Sequence, residues 1–264
     1  MILRRLTNAF RKQDWFTVFI ETLIVVLGVF LGIQVANWNE SNAQRADAQK
    51  LLVRLDEEAG TLLDIQRAEY EYHLPRIEMM NAAHALLFDE MPERDLTQNE
   101  CRLIGISHWL PAPTDDLPAL EEAIATGRLD LITDDTIRTS VRAFVLVRDR
   151  ARRAYDEAVN ELYRLNSRHP EAIWYVPEPV DVDDASLFVM QRNNRVDGRV
   201  DGRGFKWTSR CSLEEMRKSR VFLAEYVDNV SRLNSYIERY EQLIAVLNDL
   251  DAALAAELSE SESL

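Results

Sequence analysis

Apolar and polar residues alternate along this chain in three distinct ways. Residues 15–38, WFTVFIETLIVVLGVFLGIQVANW, are apolar on every helical face. Between Phe16 and Ala36 the only charge is Glu21, and there is no proline. A hydrocarbon core about 30 Å thick takes about 20 helical residues to cross. A surface helix of a soluble protein keeps a polar face, so this stretch predicts a transmembrane helix. Beyond it the apolar positions become periodic. Ala48, Leu52, Leu55, Ala59, Leu62 and Gln66 step by 4, 3, 4, 3 and 4, with no Gly or Pro between residue 38 and Gly60. The membrane helix is therefore expected to continue unbroken into a stalk. Pro75 should kink or end it, since proline lacks the N–H of a helix interior. Ile77, Met80, Ala83, His84 and Leu87 then predict a further helical stripe ending near Met91 and Pro92.

The periodicity persists through most of the remainder. Thr97-Gln-Asn-Glu100 has the form of a capping box, predicting a short helix through Trp109. Pro111 and Pro113 interrupt it. A helix follows near residues 117–126, with Gly127 as its C-terminal cap. The next helix starts at Thr133 or Asp134. Ile137, Val141, Phe144, Arg148, Ala151, Tyr155, Ala158, Leu162 and Leu165 carry it at coiled-coil spacing.

Residues 170–211 read differently. They hold Pro170, Pro177 and Pro179, and a tandem Val-Asp-Gly-Arg at 196–203. Asp-Gly pairs are turn signals. Short extended pieces are expected at 173–176 and 187–191, in an otherwise irregular insert. Ser212-Leu-Glu-Glu215 then predicts a second capping box, with Cys211 and Met216 as its hydrophobic staple. From Leu223 to Leu258 apolar residues recur at steps of 3 and 4, predicting one long helix. The 259–264 tail is acidic. The expected fold is mostly α. An N-terminal transmembrane helix (15–38) continues into a long stalk helix and an extracytoplasmic coiled-coil or helical-bundle domain (39–258). The stalk, 134–168 and 212–258 helices would pack together.

Charge orients this architecture. Arg4, Arg5, Arg11 and Lys12 precede the apolar run, against Asp14 alone, whereas mixed charges follow it. By the positive-inside rule residues 1–14 form a cytoplasmic basic tail and the bulk lies outside, in the periplasm of a bacterium. A cleaved signal peptide is the competing reading. It calls for an apolar run of about 7–15 residues and a small-residue cleavage site, and the flank Gln34-Val-Ala-Asn-Trp38 is a poor one. Residues 39–264 carry 27 basic and 43 acidic groups, a net of −16. That balance argues against nucleic acid as a partner.

Within the apolar helix, Thr17, Glu21, Gly28 and Gly32 fall within about 40° of one line. Gly28 and Gly32 form a small-xxx-small pair that allows close approach of two helices. Two readings stand. One is a seam for a second copy or a partner membrane protein. The other is a Glu21 that reaches the headgroups beside two incidental glycines. Cys101 and Cys211 would close a 110-residue loop in an oxidising compartment, or stay as separate buried thiols. Arg128, between two helices and amid Asp130, Asp134 and Asp135, suits a carboxylate. That carboxylate belongs either to the protein, closing the connection, or to a ligand.

Other chemistry is sparse. His73, His84, His108 and His169 have no His or Cys neighbour at metal-ligand spacing. Cys101 with His108 lacks a third group to make a nucleophilic site. Asp181, Asp183, Asp184, Asp197 and Asp201 lack the EF-hand order and read as solvated turns. No catalytic residue, metal site or cofactor is expected.

The residues Ile24-Val-Val-Leu-Gly-Val-Phe-Leu-Gly-Ile-Gln34, followed by Asn37-Trp-Asn-Glu40, resemble the N-terminal signature of a family of uncharacterised single-pass bacterial inner-membrane proteins. The stretch LEEAIATGRLDLITDDTIR (120–138) is similar to that family's central helix–Gly-Arg-Leu–helix motif, and the long terminal helix is similar too. The resemblance implies an inner-membrane anchor with an extracytoplasmic helical domain, and no catalytic residues. The expected function is a non-enzymatic interaction or scaffold protein, self-associating or held by a partner membrane protein. The alternative is an extracytoplasmic ligand-sensing module. With about 14 cytoplasmic residues, such a module would signal through a partner.

Overall fold

The computed structural model describes residues 15–88, 94–179 and 205–262, without the side chains of 15–18, 21 and 261–262. The fold is mostly helical. Helix α1, Trp15–Leu87, is a single element of 73 residues, about 110 Å long at 1.5 Å per residue. The break expected at Pro75 does not occur, and the helix ends at Leu87 instead of near Met91. Pro75 forfeits one backbone hydrogen bond. Burial on both sides of it, by His73, Ile77 and Met80, offsets that loss. At its C-terminus the carbonyl of Leu86 accepts hydrogen bonds from Arg217 Nε (3.0 Å) and a terminal guanidinium nitrogen (2.6 Å), so an otherwise orphaned helix-end acceptor is satisfied.

Helix α2, Gln98–Gly105, opens on the expected capping box. Thr97 accepts from Glu100 N (3.2 Å), and Glu100 accepts from Thr97 N (2.8 Å). It stops short of Trp109 because Ile106 leaves helical dihedrals (φ −102°, ψ 12°). Helix α3, Pro118–Ala125, starts with proline in its first turn, and the chain then turns at Gly127, φ 70°. That left-handed angle favours glycine. A 3-10 turn, Arg128–Leu131, leads to α4, Asp135–Val159, capped by Asp134 accepting from Ile137 N (2.8 Å).

The α4 seam was expected to run to Leu165, but the helix ends at Val159. The cause lies on a neighbouring helix. Asn229 accepts from Tyr163 N and donates to Tyr163 O, both at 2.8 Å, so the backbone there is satisfied without a helix. Leu165 still reaches the core, from the short α5, Leu165–Arg168.

Strands β1, Ile173–Pro179, and β2, Phe205–Cys211, pair antiparallel, with Ile173 opposite Cys211 and Pro179 opposite Phe205. The first covers the extended piece expected at 173–176. The second was not anticipated. The piece expected at 187–191, the Val-Asp-Gly-Arg tandem and the aspartates at 181, 183, 184, 197 and 201 lie outside the described residues.

The single C-terminal helix expected from 212 to 258 is two helices. They are α6, Leu213–Lys218, and α7, Arg220–Glu262, divided at Ser219 in an extended conformation. Ser212 caps α6 from its hydroxyl (3.3 Å to Glu215 N). The reciprocal half of that capping box goes elsewhere, since Glu215 pairs with Lys218 at 3.2 Å.

Helix α7 lies between α1 and α4 and packs along both. It runs antiparallel to α1, as hydrogen bonds Tyr226–Met80, Asn234–Asn81, Glu241–Tyr70 and Asn248–Arg67 show. Two partners widen its buried face. Phe222, Leu243 and Leu250 are buried, whereas Leu223 and Ile244 of the expected 3–4 line are only half-buried. The core has two segments. One, around Leu55, Leu120, Phe144 and Leu247, lies nearer the apolar end of α1. The other, around Met80, Leu103, Phe222 and Tyr226, lies at the far end.

Candidate functional site

Among the described residues, nothing covers the apolar end of α1. Over residues 19–38 the large side chains stand out, with Ile24 64% and Trp38 65% exposed. The helix is long and apolar enough to cross a membrane. Beyond residue 50 the same helix turns its apolar stripe inward, with Leu55 and Ala59 fully buried. Gly28 and Gly32 lie on the exposed part, and a side chain added at either meets nothing within 4 Å. Thr17 and Glu21 share this helix, but their side chains lie outside the described ones.

Arg128 is half-exposed, 3.9 Å from Asp47 of α1 and 3.9 Å from Glu122 of α3. Glu122 is also bonded by Arg54 at 2.9 Å. Arg128 thus meets protein carboxylates and fastens the α3 connection to α1. Exposed pairs of this kind contribute about 0–1 kcal/mol, so it fixes register more than stability.

Cys101 and Cys211 are joined in a disulfide, with Cα atoms 5.7 Å apart. Cys101 therefore has no thiol to pair with His108. The bond ties α2 to the base of the hairpin, where Gln98 Nε2 also donates to Ser209 O (2.7 Å).

Three polar clusters occupy the core. Around His73, Arg76 donates to Nδ1 (3.1 Å); arginine has no acceptor, so Nδ1 is unprotonated. The Arg76 guanidinium lies over Trp109, 5.2 Å from its ring centre. Burial, followed by the Arg76 charge, pulls the His73 pKa down to about 4. A cavity of about 20 Å³ lies beside it, room for a single water. In the second cluster, Glu225 accepts from Arg168 Nε (2.8 Å) and lies 2.9 Å from His169 Nε2. Burial raises the Glu225 pKa, but hydrogen bonds from Arg168 and His169 outweigh it and leave it lowered. In the third, Tyr240 donates to Glu69 (2.8 Å). Burial of its neighbour Tyr236 pushes that phenol up to about 12. These clusters join helices.

His73 gives a pH signature. Its folded pKa lies below the usual 6.5, so its contribution is complete above pH 6.5 and is lost as pH falls toward 4. Between pH 7 and 5 the loss should be about 2 kcal/mol. His73→Phe should flatten that part of the unfolding profile, as read by denaturant titration at each pH. An unchanged slope would show that His73 is not the group responsible.

A polar groove of about 320 Å³ lies between α4 and α7. It is lined by Ala154, Glu157 and Ala158 on one side and Asp228, Ser231, Arg232, Ser235 and Arg239 on the other. No sequence motif singled these residues out. The signal was the small pairs, Ala154 with Ala158 and Ser231 with Ser235, each one turn apart on facing helices. Among the described residues, no three His, Cys, Asp or Glu side chains converge as metal ligands.

The chain matches no family model, no curated protein and no solved structure.

Proposed function

We propose that this chain is a single-pass protein of the bacterial inner membrane. Its N-terminus is cytoplasmic, its helical domain is periplasmic, and it serves as a non-enzymatic interaction or scaffold protein. The observation that carries this reading is the division of α1. One unbroken helix has an apolar surface that the other described residues leave bare at 19–38, and a buried apolar stripe from Leu51 onward. Bare apolar surface of that length is stable in a bilayer and costly in water. The basic residues before it set the orientation. The resemblance to single-pass inner-membrane proteins agrees. Because the span and a principal core helix are one element, the domain is held at a fixed rotation about the membrane helix. The Thr17–Glu21–Gly28–Gly32 line is then the surface offered to a second copy or a membrane partner.

A reporter that works only in the periplasm, fused to the C-terminus, should be active. Activity from a cytoplasmic reporter instead would reverse the topology. In the same membranes Gly28→Leu with Gly32→Leu should reduce crosslinked dimer, and unchanged crosslinking would remove the seam from the reading. The alternative, a ligand-sensing module coupled to a partner protein, is favoured by the polar groove.

A further inference from the structure

Helices α4 and α7 run antiparallel, since Asn229 near the start of α7 bonds Tyr163 just beyond the end of α4. Their small residues, Ala154, Ala158, Ser231 and Ser235, face one another and leave the groove open. Its walls are charged in an ordered way. On α7, Asp228, Ser231, Arg232, Ser235 and Arg239 follow at steps of 3, 1, 3 and 4. They form one stripe about 16 Å long, with a carboxylate at one end and a guanidinium at the other.

The central cation is engaged, because Arg232 pairs with Glu161. Its Nε is sealed from solvent with no hydrogen-bond partner. The others are not engaged. Among the described residues, Asp228, Glu157 and Arg239 line the groove without an ion-pair partner. An apolar ligand gains little against such walls. An anion meets two free carboxylates, and a simple cation meets a free guanidinium.

We propose that the groove binds a zwitterion with an ammonium at one end and a carboxylate at the other, a short peptide with free termini. The ligand carboxylate accepts the forked donors of Arg239 and the Ser235 hydroxyl. The ammonium donates to Asp228 at the far end of the stripe. At 3.3–3.6 Å per extended residue, up to about four residues fit the stripe. Lipid headgroups are the wrong source. The Tyr70–Glu241 and Asn81–Asn234 bonds place this part of α7 opposite residues 70–81 of α1. That is about 48 Å of helix or more beyond Trp38. The ligand is therefore soluble, and the proposal stands whether or not the protein self-associates.

The full-length chain in detergent micelles would be titrated calorimetrically with unblocked tripeptides and tetrapeptides of varied sequence. Acetate and methylammonium serve as single-ended controls. At least one zwitterion should bind saturably, with neither control binding. Amidating that ligand's carboxylate should weaken it about tenfold or more, a change of about 1.4 kcal/mol. Arg239→Gln should weaken the free acid similarly but leave the amide unaffected. Ala154→Leu, which fills the groove, should abolish binding with the helical circular dichroism retained. Lack of binding by every zwitterion would overturn the proposal, as would equal binding of acetate, or binding that survives Arg239→Gln. Each of these outcomes leaves the topology and crosslinking results untouched.

Discussion

Replacing Cys101 and Cys211 by alanine together is expected to lower the unfolding free energy by about 3 kcal/mol. The residues are 110 apart in sequence, so their bond restricts the unfolded chain strongly. Loop-closure entropy alone suggests about 4–5 kcal/mol for such a loop, and removal of native disulfides costs about 2–5 kcal/mol. The lower part of that range is expected here. The hairpin register and the Gln98–Ser209 hydrogen bond also hold β2 to α2 once the protein is folded. Denaturant unfolding of the double variant measures the loss, and a change under about 0.5 kcal/mol would mean that the bond constrains little.

The same pair reports on location. A disulfide persists in an oxidising compartment and is reduced in the bacterial cytosol. If the domain is periplasmic, thiol alkylation in intact cells should leave both cysteines unlabelled until a reductant is added. Immediate labelling would place the domain on the cytoplasmic side and reverse the orientation drawn from Arg4, Arg5, Arg11 and Lys12.

Where the physics is local, the sequence was readable. Thr97, Asp134 and Gly127 act as caps because each depends on a few neighbouring residues. The apolar run at 15–38 was readable as one helix because it is apolar on every helical face. What could not be read was set by contacts distant in sequence. Pro75 sits inside a helix because α7 packs across it. Helix α4 stops at Val159 because Asn229, 70 residues on, takes the backbone groups of Tyr163. Strand β2 exists because β1 pairs with it. The buried line of α7 departs from a strict 3–4 alternation because that helix serves two neighbours. For the groove, Ala154 and Ser235 were visible as small residues. That they oppose each other depends on the antiparallel register of α4 and α7, which no local pattern encodes.

Asn229 makes the non-local argument quantitative. It is fully buried and joins three parts of the fold. Its Oδ1 accepts from Tyr163 N, while Nδ2 donates to Tyr163 O (2.8 Å) and to Ser107 Oγ (2.9 Å). It therefore pins α7 both to the turn after α4 and to the loop after α2. Asn229→Ala leaves the peptide groups of Tyr163 and the hydroxyl of Ser107 facing a dry space. Each buried polar group left unpaired costs about 1–3 kcal/mol, so a total near 4 kcal/mol is expected, part of it recovered if water enters. Asn229→Asp separates hydrogen bonding from size. Its carboxylate still accepts from Tyr163 N but cannot donate to Tyr163 O, and it adds a buried charge. It should destabilise at least as much as alanine despite filling the same volume. If Asn229→Asp were instead near native in denaturant unfolding, packing alone would account for this position. The break of α4 at Val159 would then need another cause.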